Sequence, residues 1–176
     1  MRMAFIPFII ILFFFSCKES PKVQGELFFK NNIESSLGWY SHPTFYKTKE
    51  ARSGEYVSKL DSVNIYSFVF DLPLSLVNVR FIPVREVKAS VWVMFKSQDA
   101  KGALITELKR NGALLIWNSV KLQDHCKEAN KWYKVEYVTN LLENDYSSND
   151  NLFRTYAAND SKHEIFLDDF QVEFLN

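Results

Sequence analysis

From Glu86 to Lys96 the chain alternates: Val87, Ala89, Val91, Val93 and Phe95 fall on one side, and Lys88, Ser90, Trp92, Met94 and Lys96 on the other. A period of two marks a strand with one buried face, because successive strand side chains point to opposite faces of a sheet. Similar short segments rich in β-branched and aromatic residues recur along the chain, separated by polar turns. They are Glu26 to Phe29, Phe45 to Tyr46, Tyr56 to Lys59, Tyr66 to Phe70, Ala103 to Lys109, Leu114 to Val120, Trp132 to Thr139, Leu152 to Ala157 and Ile165 to Phe174. Asn111-Gly112 is a two-residue hairpin signal, since both residues tolerate positive φ, and it ties the two strands around it together. Glu107 to Arg110 is the only rival helix, and the adjacent turn argues against it. Regular spacing of this kind predicts an all-β sandwich formed by residues 26–176 as a single domain.

Residues 1–16 differ in character. Arg2 precedes an apolar run, A-F-I-P-F-I-I-I-L-F-F-F, that stops at Ser16-Cys17. A run of about 12 residues is too short for a transmembrane helix, which needs roughly 20, and its small-residue end marks a signal peptide. The sequence F-F-S-C resembles the bacterial lipoprotein signal, although Phe15 stands where a small or aliphatic residue is usual. That resemblance implies export, acylation of Cys17 and a bacterial protein anchored in a membrane by its N-terminal lipid, at the outer membrane or cell surface; the alternatives are an ordinary secretory signal or a short uncleaved anchor, and all three export the chain. Residues 17–25 then form the lipidated cysteine and a short tether, lacking apolar periodicity and carrying Pro21 and Gly25.

Removal of residues 1–16 takes Arg2 from the 21 basic residues and leaves all 21 acidic ones, so the mature net charge is near −1. With no block of lysine or arginine, nucleic-acid binding is excluded. A lipidated Cys17 leaves Cys126 without a partner for an intramolecular disulfide, and no ligand spacing around His125 supports a metal or nucleophile role. His42, His125 and His163 lie in expected loops without a catalytic motif, and the five glycines make no phosphate-cradling loop.

The closing segment, I-F-L-D-D-F-Q-V-E-F, places a carboxylate pair inside an alternating pattern. Phase alone sets Asp168 on the core row with Phe166, Phe170, Val172 and Phe174, and turns Asp169 outward with Gln171 and Glu173. An inward carboxylate needs a cation or backbone donors, because unpaired burial costs several kcal/mol. A structural calcium is the sharpest candidate for that partner. Opposite faces also prevent the two aspartates from flanking one glycosidic bond as catalytic carboxylates.

Five segments taken in order carry a resemblance: N-N-I-E-S-S-L-G-W, A-R-S-G-E-Y, V-K-A-S-V-W-V, N-K-W-Y-K-V, and L-F-R-T-Y-A-A-N before I-F-L-D-D-F-Q-V. Together they are similar to the carbohydrate-binding-module jelly roll of the galactose-binding-like superfamily, with Ile33 and Ala158 departing from aromatic positions of that pattern. The resemblance implies a jelly-roll β-sandwich and a core role for Trp132. It also implies a structural calcium held by Glu34 and Asp168, with Asp169 as an outer ligand or a solvated neighbour and backbone carbonyls completing the shell; the alternative is that Glu34 and Asp168 cap turns or pair with Arg52 or Lys59. Sugar recognition uses aromatic faces with amides, carboxylates and arginine on the hydroxyls. The expected ligand-binding residues are accordingly Trp92, Trp117, Asn118, Arg154 and Tyr156. The function expected is a lipid-anchored, non-catalytic module that binds polysaccharide or oligosaccharide at the cell envelope. The alternative is a structural or adhesion lipoprotein with an envelope protein partner, and a small polysaccharide-active enzyme stands third.

Overall fold

A computed structural model of the protein describes residues 27–35, 44–78, 85–141 and 151–175. The signal segment, Cys17, the tether, Trp39 and His42 lie outside them. Among the described residues the strands are β1 (Leu27–Asn31), β2 (Phe45–Lys47), β3 (Tyr56–Leu60), β4 (Phe70–Pro73), β5 (Glu86–Phe95), β6 (Gly102–Arg110), β7 (Ala113–Lys121), β8 (Trp132–Asn140), β9 (Asn151–Asn159) and β10 (Ile165–Leu175). A helical turn α1 (Ser75–Asn78) and a 3-10 turn at Leu122–Asp124 complete the elements.

All pairings are antiparallel, and they build two sheets. One has six strands in the order β2-β3-β10-β5-β8, with β1 also paired to β10; the other runs β4-β9-β6-β7. This is the two-sheet sandwich read from the spacing of the segments. Asn111 and Gly112 both adopt positive φ, 49° and 80°, and close the β6–β7 hairpin from Arg110 to Ala113. The alternation of β5 also holds, because Val87, Ala89, Val91, Val93 and Phe95 enter the core between the sheets. There they meet Phe70, Leu72, Leu104, Leu108, Val135, Phe153 and Phe174.

Two expectations about elements change. The segment from Tyr66 to Phe70 does not run as one strand. Ser67 exchanges bonds with Ala157 through its backbone N–H and its hydroxyl, and the hydroxyl also donates to Phe68 O. Local side-chain bonds of this kind displace the ladder. Tyr66 is left with an isolated bridge to Ala158, and β4 begins at Phe70. Trp132, expected in the core, is half-buried on the outer side of the six-stranded sheet. It packs with Val57, Met94, Phe166 and Ala51, and its indole N–H donates to Glu50 O at 3.1 Å.

The closing strand departs from its expected phase because it is bulged. Asp168 pairs with Trp92 and Gln171 with Ser90, so Asp169 and Phe170 together oppose Val91. Asp169 takes φ 48°, a left-handed conformation that aspartate tolerates better than most residues. Ahead of the bulge, Ile165 and Leu167 enter the core while Phe166 joins the outer cluster; beyond it Phe170, Val172 and Phe174 face inward. Asp168 therefore shares the outer row of Phe166, not the core row of Phe170. Asp169 is not solvated either: the two aspartates are 0% and 2% exposed beneath the segment that carries Arg52 and Ser53.

Candidate functional site

The outer face of the four-stranded sheet carries a transverse row of functional side chains. Asp71 on β4 pairs with Arg154 on β9, Arg154 with Glu107 on β6, and Glu107 with Trp117 on β7. Directly paired residues in antiparallel strands share a face, so these four project together. Their neighbours Leu72, Phe153 and Leu108 point the other way, into the core. Tyr156, two residues from Arg154, and Tyr66 stand beside the row with ring centroids 5.8 Å apart in an edge contact. Tyr66, Val69, Glu107, Lys109, Arg154 and Tyr156 line a pocket of about 270 Å³. Trp117 lies on the same face and is 52% exposed.

The polar groups hold one another in fixed positions. Arg154 donates through Nε and Nη2 to the two Asp71 oxygens at 2.6 and 2.7 Å, a bidentate fork. That pairing raises the Arg154 pKa further above its ordinary value. Tyr156 donates its hydroxyl to Glu107 Oε1 at 2.8 Å, and the Lys109 ammonium meets Glu107 Oε2 at 2.7 Å. Burial pushes the Glu107 carboxyl up, but the bonds from Lys109 and Tyr156 outweigh it and hold the group below the usual carboxylate range. Burial first, then the facing Glu107 carboxylate, pushes the Tyr156 phenol well above its ordinary value, so it remains a donor at physiological pH. The result is a charge-balanced floor, two anions against two cations, flanked by aromatic rings.

Three of the expected ligand-binding residues, Trp117, Arg154 and Tyr156, thus meet on one face. The other two do not join them. Trp92 belongs to the opposite sheet, where the Arg52 guanidinium lies 3.8 Å from its ring centroid and covers the indole. Asn118 pairs with buried Thr106, so its side chain lies on the reverse side of β7 from Trp117, and its carbonyl accepts from Tyr137. Glu107, Asp71, Lys109 and Tyr66 were not singled out from the sequence. Counting back from Asn111-Gly112 sets Glu107 opposite Ile116; a bulge between Leu108 and Lys109 moves it opposite Trp117. Tyr66 reaches the site through its bridge to Ala158, so an aromatic arrives from another segment beside the position where Ala158 departs from the resembling pattern.

Glu34, Asp168 and Asp169 form a second constellation on the other sheet. Ile33, 1% exposed, sits at φ 64°, a strained conformation for a β-branched residue. It is held there by its burial and by the Asn31 side chain, which accepts from Ile33 N at 2.7 Å. This turn delivers Glu34 to the Ser-Gly loop, where Oε1 accepts from Glu55 N and Tyr56 N, both at 2.9 Å. Asp168 Oδ2 accepts from Arg52 N and Ser53 N at 3.0 and 2.9 Å, and Oδ1 accepts from Asp169 N at 2.7 Å and Ser53 Oγ at 3.4 Å. Burial raises the Asp168 pKa against the pull of these donors. Asp169 binds the Arg52 guanidinium through Oδ2 and faces the Lys30 ammonium at 3.3 Å through Oδ1. No group of three or more His, Cys, Asp or Glu side chains arranged to hold a metal occurs among the described residues.

Cys126 is a free thiol in the core cluster, and burial pushes its pKa up to about 12. A thiol in that state is no nucleophile at neutral pH.

The two-sheet antiparallel sandwich is similar in fold to solved carbohydrate-binding modules. It is similar to the CBM22-2 xylan-binding domain of Paenibacillus barcinonensis Xyn10C, with a TM-score of 0.52 and 16% identity over 83% of this chain and 98% of that one. It is also similar to the C-terminal family 22 carbohydrate binding module of Clostridium thermocellum Xyn10B, with a TM-score of 0.53 and 13% identity over 84% and 92% of the two chains. A family 16 carbohydrate binding module gives a TM-score of 0.50 and 13% identity over 78% and 91%. Identities this low show a shared fold. No protein-family model and no curated protein matches the sequence.

Proposed function

We propose that this protein is a non-catalytic carbohydrate-binding module, held at the bacterial cell envelope by lipid on Cys17. The observation that carries the reading is the transverse row Asp71, Arg154, Glu107 and Trp117 with Tyr156 and Tyr66 beside it. Aromatic faces stack on the apolar faces of sugar rings, and a fixed set of charged donors and acceptors bonds the hydroxyls. The floor is charge-balanced, which suits a neutral polysaccharide or oligosaccharide. The resemblance in fold to a xylan-binding domain supports the same reading, with xylan-type chains as the first ligands to test.

A catalytic role is disfavoured by the site's own chemistry. Glycoside hydrolysis needs a carboxylic acid that keeps its proton near neutral pH, whereas Glu107 is held ionised by Lys109 and Tyr156. One observation favours the rival protein-binding reading: β7 is an edge strand with Leu114 and Leu115 exposed and no charge between Ala113 and Val120. Such an edge offers unpaired backbone groups to another strand.

Affinity electrophoresis of the purified protein against a panel of neutral and acidic polysaccharides tests the reading. Retardation by a neutral glycan is expected, and uniform migration across the panel together with recovery of a stoichiometric protein partner would establish the rival. Anchoring is tested separately: Cys17→Ala is expected to move the protein out of the membrane fraction and to abolish incorporation of labelled fatty acid.

A further inference from the structure

We propose that the clasp joining the first loop, the Ser-Gly loop and the closing strand is metal-independent, with the chain's own Arg52 guanidinium and Lys30 ammonium taking the place of the calcium that the fold resemblance implies.

The donor set is the first ground. Calcium takes six to eight oxygen ligands at about 2.3–2.6 Å. Asp168 has directed its oxygens at two backbone N–H groups on one side and a backbone N–H and a hydroxyl on the other. Glu34 has committed Oε1 to two more backbone N–H groups. A carboxylate that accepts N–H bonds in these directions turns the same lone pairs away from a metal.

Charge is the second ground. The free side of Asp169 opens on a pocket of about 330 Å³ lined by Lys30, Asn32, Ser53 and Asp169. Asp169 Oδ1, without a hydrogen bond of its own, faces the Lys30 ammonium there. A divalent cation entering this pocket meets one positive side chain across it and a second, Arg52, already on Asp169 Oδ2. Asp169 itself is 2% exposed, while Lys30 and Arg52 are 48% and 35% exposed, so the two cations compete with a divalent ion for a buried carboxylate from partly solvated positions. Arg52 is not a passing neighbour either, because its guanidinium is stacked on Trp92 and its backbone N–H is bonded to Asp168. One residue thus grips both aspartates, through its backbone and through its side chain. The β10 bulge makes this possible by delivering both carboxylates to the same loop.

The inference is independent of glycan binding and is tested without it. Thermal unfolding of the metal-stripped, full-length protein is followed with EDTA and with millimolar CaCl2. The expected result is one melting temperature in both, and no calcium heat in titration calorimetry. A rise of several degrees with calcium, or saturable binding below millimolar concentrations, overturns the proposal. Arg52→Gln, measured with EDTA present, is expected to lower the melting temperature by several degrees, and an unchanged value also overturns it. Should that variant fail to fold, the calcium titration of the unaltered protein still decides.

Discussion

Glu107 lies directly across the β6–β7 ladder from Trp117 and directly across the β6–β9 ladder from Arg154. A single strand position thereby sets an aromatic plane on one side of a carboxylate and a guanidinium on the other. Bound between Tyr156 and Lys109, the carboxylate cannot swing away from the face. Glu107→Gln is expected to weaken glycan binding by about tenfold or more, near 1.5 kcal/mol, because a charged acceptor is replaced by a neutral amide. Titration calorimetry checks the loss, and circular dichroism checks that the fold persists.

Asp71 contributes through Arg154. The bidentate fork fixes the guanidinium plane, so Asp71→Asn is expected to leave Arg154 mobile and to lower affinity several-fold. The effect on stability stays within about 1 kcal/mol, since the pair is part-exposed. Chemical denaturation and calorimetry on the same sample separate the two effects.

Binding should depend on pH in a particular window. Glu107 has a folded pKa held below its ordinary value, so its contribution to stability is present above the unfolded value of about 4.3 and is lost as pH falls through the lower folded value. Affinity is expected to be level from neutral pH down to the ordinary glutamate value of about 4.3 and to decline only below it, and Glu107→Gln should flatten that decline. A midpoint near neutrality contradicts the assignment.

Gly54 has φ 63°, and a Cβ there would overlap the Glu34 carboxylate. Gly54→Ala is therefore expected to cost about 1–3 kcal/mol, from backbone strain together with displacement of Glu34 from Glu55 N and Tyr56 N. A double variant with Glu34→Ala should recover the steric part only, which urea denaturation measures.

The Cys126 thiol, with its pKa pushed up to about 12, should resist thiol reagents at pH 8 in the native protein and react at once in denaturant. Timed labelling followed by mass spectrometry reads this directly.

The strands were legible because their patterns are local: β5 alternates over its whole length, and Asn111-Gly112 determines its own turn. The resemblance carried by N-N-I-E, A-R-S-G and L-D-D-F holds at the level of the fold. What escaped was phase. A bulge adds one residue and exchanges faces for everything on one side of it, and no local pattern announces it. The bulge at Asp169 and Phe170 took Asp168 off the core row and brought both aspartates under the same loop, and the bulge beside Lys109 moved Glu107 from Ile116 to Trp117. Trp92 shows the second limit. Parity put it correctly on the outer side of β5, but only the packed structure reveals that Arg52 covers it. Tyr66 shows the third, since its bridge to Ala158 joins segments far apart in sequence.

Trp117 and Trp92, one on the outer face of each sheet, give the most direct test of the central claim, that a glycan binds on the outer face of the four-stranded sheet. Calorimetric titration of a retarding oligosaccharide is to be compared among the unaltered protein, Trp117→Ala and Trp92→Ala. Loss of a stacking plane worth about 0.5–1.5 kcal/mol should weaken binding by Trp117→Ala roughly two- to tenfold with an unchanged melting temperature. Trp92→Ala should bind as the unaltered protein does while melting lower, because it removes the support of Arg52. Undiminished binding by Trp117→Ala, with the loss falling on Trp92→Ala instead, would contradict the account.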